Sequence, residues 1–117
     1  MKNKFAALSA ALMLTGCGSV SVPASGSTSN GEKFYGQATA SLSEGKFVVT
    51  NQSGVLCTGK YDQFSTARQL TVEFTCTDGR KGTIHILRNP DLMGGAGTGT
   101  FSDGTTATFK FGKDSGA

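Results

Sequence analysis

One histidine, three cysteines and a thin scatter of carboxylates are the residues of this chain that could do chemistry. His85 stands between Ile84 and Ile86 in an alternating run, so its imidazole falls on the face opposite the apolar one. A catalytic histidine needs a nucleophile to activate or an acid to orient it. Glu73 is placed to share that face, but a solvated outer-face histidine accounts for the position without further partners. Gly94-Gly-Ala-Gly-Thr-Gly99 has the glycine density of a phosphate loop. No Lys-Ser/Thr follows and no helix begins there, so backbone donors would not converge on a phosphate. Asp78 and Asp103 sit in turns, where Asp supplies local hydrogen bonds. The residues therefore point to no catalytic set, and no cofactor is expected.

Cys57 and Cys76 each fall on the inward alternation of a strand. In an exported domain with a modest core they are expected to form a disulfide, closing a loop of about 20 residues and stabilising the fold by roughly 3 kcal/mol. Two buried free thiols are the other reading. A metal pair is poorer, because no second Cys or His lies at ligand spacing, and no metal site is expected.

The elements that must position these residues are strands. In Leu70–Ile86, apolar residues alternate at Leu70, Val72, Phe74 and Cys76, and again at Ile84 and Ile86. A two-residue Asp78-Gly79 loop would turn both isoleucines to the wrong face. A three-residue Thr77-Asp78-Gly79 loop pairs Phe74 with Gly82, Val72 with Ile84 and Leu70 with Ile86, and it sets Gly79 in a left-handed conformation. The segment Cys76–Ile86 recurs as Phe101–Phe111 at an offset of 25 residues, pairing Ala107 with Gly99, Phe109 with Gly97 and Phe111 with Gly95. Rings opposite glycines fill space that a side chain would otherwise occupy. Upstream, Phe34, Gly36, Ala38, Ala40 and Leu42 alternate, and a two-residue Glu44-Gly45 loop sets Leu42 opposite Phe47. Val55, Cys57, Gly59 and Tyr61 form a further inward row, and Asp62–Arg68 reads as a loop. The fold expected is all-β: a small antiparallel meander of about seven strands over residues 32–117, closing as a barrel or a two-layer sandwich.

Arg88-Asn89-Pro90-Asp91 breaks the ladder, since proline lacks a donor and restricts Asn89. Leu92 and Met93 follow with no alternation that would bury them. The loop Asn89, Pro90, Asp91, Leu92, Met93 is the candidate binding site, as an adaptable contact tip or, alternatively, as a plug in one end of the barrel.

The N-terminal 17 residues have a separate logic. Lys2 and Lys4 precede an apolar run, Phe5–Leu14, broken only by Ser9 and too short to span a bilayer. It ends in Leu14-Thr15-Gly16-Cys17, which resembles the lipobox of bacterial lipoproteins. The resemblance implies cleavage after Gly16, diacylation of the Cys17 thiol, and attachment to a membrane of the cell envelope through that lipid. Gly18 rather than Asp follows, which favours the outer membrane, facing the periplasm, if the source is Gram-negative. Residues 1–16 are thus read as a cleaved signal peptide. Residues 17–31, small and polar, are read as lipidated Cys17 plus a flexible tether with a reach of roughly 20 Å.

Gly54–Tyr61 (Gly-x-x-Cys-x-Gly-x-Tyr) and Cys76–Gly82 (Cys-x-Asp-Gly-Arg-x-Gly) are similar to small bacterial lipoproteins of unassigned function. Gly97-x-Gly99-Thr-Phe101-x-Asp103-Gly104 resembles part of a MORN repeat, lacking that repeat's Tyr-x-Gly start. Neither likeness names an activity. The formal charge is +3, and about +1 once Lys2 and Lys4 are set aside, too little to argue for nucleic acid. The expected role is a lipid-anchored, non-catalytic structural or interaction module whose partner is another envelope protein or the cell-wall polymer. An inhibitor of an envelope-attacking hydrolase is the alternative, and a hydrolase the remote one.

Overall fold

The structure is a computed structural model that describes residues 18–112. Eight antiparallel strands, each hydrogen-bonded to its neighbours in sequence, close into a barrel when β1 pairs with β8. They are β1 (Ser19–Thr28), β2 (Lys33–Ser41), β3 (Gly45–Asn51), β4 (Leu56–Tyr61), β5 (Gln69–Cys76), β6 (Lys81–Arg88), β7 (Gly95–Phe101) and β8 (Thr106–Phe111). The all-β meander is as expected, with closure as a barrel rather than a sandwich. The β5–β6 register matches the expectation pair for pair, with Val72 opposite Ile84 and Phe74 opposite Gly82. The β7–β8 register does too, with Phe109 opposite Gly97.

Two expectations are corrected. Residues 18–31 are no tether: Ser19–Thr28 is an additional strand, paired with both β2 and β8. Its inward row is Val22, Ala24, Gly26 and Thr28, small because the interior is already crowded by rings. A Cβ on Gly26 would stand 2.4 Å from Phe109 Cδ1. Pro23 lies just beyond the last pair with β8, an edge position where a strand tolerates proline. The second correction concerns the β2–β3 turn. Its two-residue loop is Leu42-Ser43, with the Ser41 N–H donating to the Glu44 carbonyl at 2.8 Å and Ala40 opposite Gly45. Leu42 does not face Phe47 and is 81% exposed. Ser41 decides the turn, because its Oγ accepts the N–H of Glu44 at 3.2 Å. The expected signal segment 1–16 and the expected lipidation site Cys17 lie outside the described residues.

Phe34, Phe47, Phe74, Phe101, Phe109 and Phe111 fill the barrel. Phe74 meets Phe101 edge to face at a 5.0 Å centroid separation, and Phe47 meets Phe111 at 6.2 Å. Each such pair is worth about 0.5–1.5 kcal/mol beyond the area it buries. Gly59 and Gly82 make room for them. A Cβ at either would come within 2.4 Å of the Phe47 or Phe74 ring. Thr, Ser and Lys dominate the outer face, the reverse of a lipid-spanning barrel, which presents an apolar band outward.

The two ends of the barrel differ. At one, four strand pairs turn through the same three-residue loop: Ser29-Asn30-Gly31, Gln52-Ser53-Gly54, Thr77-Asp78-Gly79 and Ser102-Asp103-Gly104. Each ends in a glycine with φ between +85° and +94°. This end is tied shut by Arg80. Its guanidinium makes a two-bond pair with Glu32 (2.9 and 3.0 Å), donates to Asp78 at 2.9 Å and lies 4.7 Å over the Phe101 ring. Asn51 donates to Glu32 at 2.9 Å, so Glu32 and Arg80 link the first three turns.

The Cys57–Cys76 disulfide forms as expected, between directly opposed residues. It spans the shortest seam, because β4 and β5 share only three registered pairs. Replacing both cysteines by Ala should lower unfolding free energy by about 3 kcal/mol in urea titrations. Amides of Cys57–Gly59 and Phe74–Cys76 should gain hydrogen exchange before those of β7–β8. Uniform acceleration around the barrel would contradict this account.

Glu32 gives a pH prediction. The Arg80 hydrogen bonds hold its carboxyl below the ordinary value, against a smaller opposing effect of burial. A folded-state pKa depressed in this way stabilises above the unfolded value, and the stabilisation is lost as pH falls through the folded one. Glu32→Gln should therefore be less stable than the native chain at neutral pH by about 1–2 kcal/mol, with the gap closing only in acid below the ordinary carboxylate range. Urea midpoints measured across pH check the sign.

Candidate functional site

The opposite end is an open mouth. It is bounded by the Leu42-Ser43 turn, the β4–β5 loop 62–68, the β6–β7 loop 89–94 and the start of β1. A cavity of about 260 Å³ enters the barrel there. Its walls are apolar, with Val22 of β1, Ala38 and Ala40 of β2, Val72 of β5, Ile86 of β6 and Phe111 of β8. The cavity exists because small residues replace rings near the mouth. The inward positions of β2 there are alanines, and β7 enters as Gly94-Gly95.

Three polar side chains reach this apolar space: Tyr61, Gln63 and Arg88. Arg88 is 9% exposed, and its Nε donates to the Ala67 carbonyl at 2.9 Å while Nη2 donates to the Ser65 carbonyl at 2.8 Å and also to Ala67. These neutral acceptors satisfy donors without cancelling charge, and no carboxylate pairs with Arg88 among the described residues. Burying a cation with only carbonyl partners leaves a positive potential in a low-dielectric wall. Tyr61 Oη donates to the Thr39 carbonyl at 3.3 Å, and burial pushes its phenol above the ordinary value, so it stays neutral. Gln63 Nε2 donates to the Ser41 carbonyl at 2.8 Å, fastening the β4–β5 loop across the rim.

The loop expected to bind lies on this rim. Asn89 N–H donates to the Gly94 carbonyl at 2.7 Å and Leu92 N–H to the Asn89 carbonyl at 2.8 Å, while Asp91 Oδ1 accepts the Met93 N–H at 2.9 Å. Pro90 and Asp91 are exposed. Leu92 and Met93 both border the cavity, but unequally, with Leu92 half-buried and Met93 54% exposed. The loop is thus part plug and part rim. Leu92 holds φ +62°, a left-handed backbone that costs a residue with a side chain about 1–2 kcal/mol. Asn or Gly would avoid that cost, so the Leu side chain is what the position keeps.

His85 is exposed on the outer face of β6, its Nδ1 3.3 Å from Thr71 Oγ1. Its strand partner is Thr71, and Glu73 pairs with Thr83 instead, so the two form no acid–base pair. A broad open groove of about 1080 Å³ passes over this outer face, floored largely by threonines. It lacks the mouth's apolar enclosure. Arg88, Val22 and Ala40 are site residues that motif reading misses. The signal is present for both, Val22 alternating with Val20 and Ala24 and Arg88 continuing the inward row of Ile84 and Ile86, but an arginine in that row does not by itself read as part of a cavity wall.

No protein-family model matches the chain, and no curated protein matches it. Among solved structures, it is similar to a redesigned β-barrel, mFAP1, bound to DFHBI, with a TM-score of 0.61 and 19% identity over 80% of this chain and 92% of that one. A second redesigned barrel, mFAP0, also bound to DFHBI, gives a TM-score of 0.59 and 20% identity over 80% and 95% of the two chains. A de novo designed fluorescence-activating β-barrel gives a TM-score of 0.58 and 18% identity over 78% and 88%. These likenesses show the fold.

Leu92→Ala should lower unfolding free energy by about 1–2 kcal/mol, less than a fully buried leucine would cost. Met93→Ala should leave it within about 0.5 kcal/mol. Urea midpoints of the two single variants check the division of labour, and equal losses would make the whole loop a plug.

Proposed function

We propose that the chain is a lipid-anchored, non-catalytic binding module of the cell envelope that acts through the barrel mouth. The observation that carries the binding role is the cavity of about 260 Å³, walled by valine, alanine, isoleucine and phenylalanine, with the buried Arg88 guanidinium at its margin. An interior meant only for stability would be filled, since empty apolar volume destabilises. The fitting ligand is an apolar group with an acidic or strongly hydrogen-bond-accepting end, its body against Val72 and Ile86 and its head towards Arg88 and Tyr61. The two redesigned barrels of this fold are bound to DFHBI, which supports the architecture as one that accepts a small molecule. The lipid anchor rests on the Leu14-Thr15-Gly16-Cys17 motif.

Anilinonaphthalene sulfonate, an apolar fluorophore with an anionic head, tests the mouth. It should bind the folded chain at one saturable site. Ala40→Phe, which narrows the mouth, should abolish the signal, and Thr108→Phe on the outer face should not. Binding that survives Ala40→Phe would remove the mouth as the site. Mass measurement of the N-terminal peptide from cell membranes tests the anchor: Cys17 should be the first residue and carry acyl chains. Cys17 found unmodified, or still joined to Gly16, would end that part of the proposal.

A further inference from the structure

Two features outside the cavity converge on the same end of the barrel. The first is the start of β1. Ser19, its first residue, pairs with Ser41 at the mouth end of β2, and Val20 lies on the cavity wall. The first described strand thus begins at the mouth end, two residues after Cys17 in the sequence. The second is the distribution of exposed apolar side chains. Val20, Leu42, Phe64, Leu87 and Met93, each more than half exposed, all stand at the mouth end, whereas only Tyr35 and Leu56 lie towards the closed end. They come from the N-terminal strand, the β2–β3 turn, the β4–β5 loop and the two sides of the β6–β7 loop, so they ring the opening. Charge does not distinguish the ends: Arg68 and Lys110, exposed near the rim, carry no ion pair among the described residues, and neither do Lys33 and Lys81 at the closed end.

We infer that the open mouth is a membrane-docking face: the barrel sits mouth-down on the phospholipid surface that holds the Cys17 lipid. The inference rests on the lipid-anchored reading and names the mouth's partner as the bilayer. A strand that begins two residues after the anchor leaves no long tether to let the barrel turn away. Apolar side chains ringing an opening have an unfavourable contact with water that shallow insertion among headgroups and upper acyl chains relieves. Leu42, at the tip of a two-residue turn, and Phe64, in the loop 62–68, are the most exposed of these side chains and enter first. Arg68 and Lys110 meet lipid phosphates. In this pose the cavity opens directly onto lipid, and the ligand within reach of Arg88 is an acyl chain with an anionic head. The outer wall of Thr and Ser and the Arg80-tied end remain in water.

The chain has no tryptophan, so a single introduced indole reports its own depth. A chain starting at Cys17 retains every strand, and with Cys57 and Cys76 joined its one free thiol is Cys17. Coupling that thiol to maleimide-headgroup lipid, in vesicles of phosphatidylethanolamine and phosphatidylglycerol with brominated acyl chains, sets the anchor chemically. The variants are Phe64→Trp at the rim and Tyr35→Trp near the closed end, two positions of similar exposure in the native chain. The rim indole of Phe64→Trp should emit further to the blue and be quenched several-fold more than the indole of Tyr35→Trp. Adding Leu42→Ser and Met93→Ser to the rim variant should reduce its quenching. Equal quenching in the two variants, or none at the rim, overturns the docking pose, and is the result expected if the rim serves a protein partner. Because the coupling supplies the anchor, this result is independent of lipidation in cells. Unmodified Cys17 in cells overturns the anchoring premise alone.

Discussion

The interior of a small barrel is a fixed volume, and this chain fills it with rings placed against glycines. Six phenylalanines occupy the inward rows, and the positions they lean on are left without side chains. The pairing constrains both partners. A methyl group on Gly59 or Gly82 would collide with Phe47 or Phe74, and smaller residues at the phenylalanine positions would open voids. The dependence extends to β1, whose inward row is small because Phe109 already covers it. A sequence with little branched aliphatic content thereby closes a core without a helix.

That filling is uneven along the axis, and the unevenness separates the two ends. Rings and the Arg80 network close one end, where Glu32 and Asp78 compensate the guanidinium at hydrogen-bond distance and Phe101 supports its face. Alanines, glycines and loops occupy the other, where the buried cation, Arg88, meets only carbonyl oxygens. A compensated cation is a structural clasp. One without a carboxylate in an apolar wall retains its reach towards an anion. The same residue type thus has opposite consequences at the two ends of one barrel.

How much of this is legible in the chain depends on the strength of each local signal. The Leu70–Ile86 hairpin and its repeat at Phe101–Phe111 can be read pair by pair, because large apolar residues alternate on both sides of an Asp-Gly turn. The disulfide follows from the same alternation. The first strand does not, since Val20-Ser-Val-Pro-Ala-Ser-Gly26 alternates small residues with serines and looks like a tether in isolation. Its burial is decided by residues far away, the phenylalanines of β2 and β8. Alternation alone misplaces the Leu42 turn because a Leu opposite Phe47 satisfies the pattern, whereas the Ser41 hydrogen bond that sets the loop carries no hydrophobic signal. The site is the least legible part. Pro90 and the apolar pair after it mark the β6–β7 loop, but a mouth assembled from four separate segments has no contiguous signature, and the alternation that turns Arg88 inward after Ile84 and Ile86 does not tell that its charge meets no carboxylate.

On the lipid-anchored reading proposed above, the correction to β1 matters more for function than for fold. A tether of about fourteen residues would let the domain tumble freely, and any face could meet any partner. A strand beginning two residues after Cys17 removes that freedom and gives the barrel a direction. The end where β1 begins is also the end with the cavity and most of the exposed large apolar side chains among the described residues. Stability alone explains neither, since Leu42 and Phe64 contribute little burial. Contact with an apolar surface, as proposed above, accounts for both together, on the side where β1 begins.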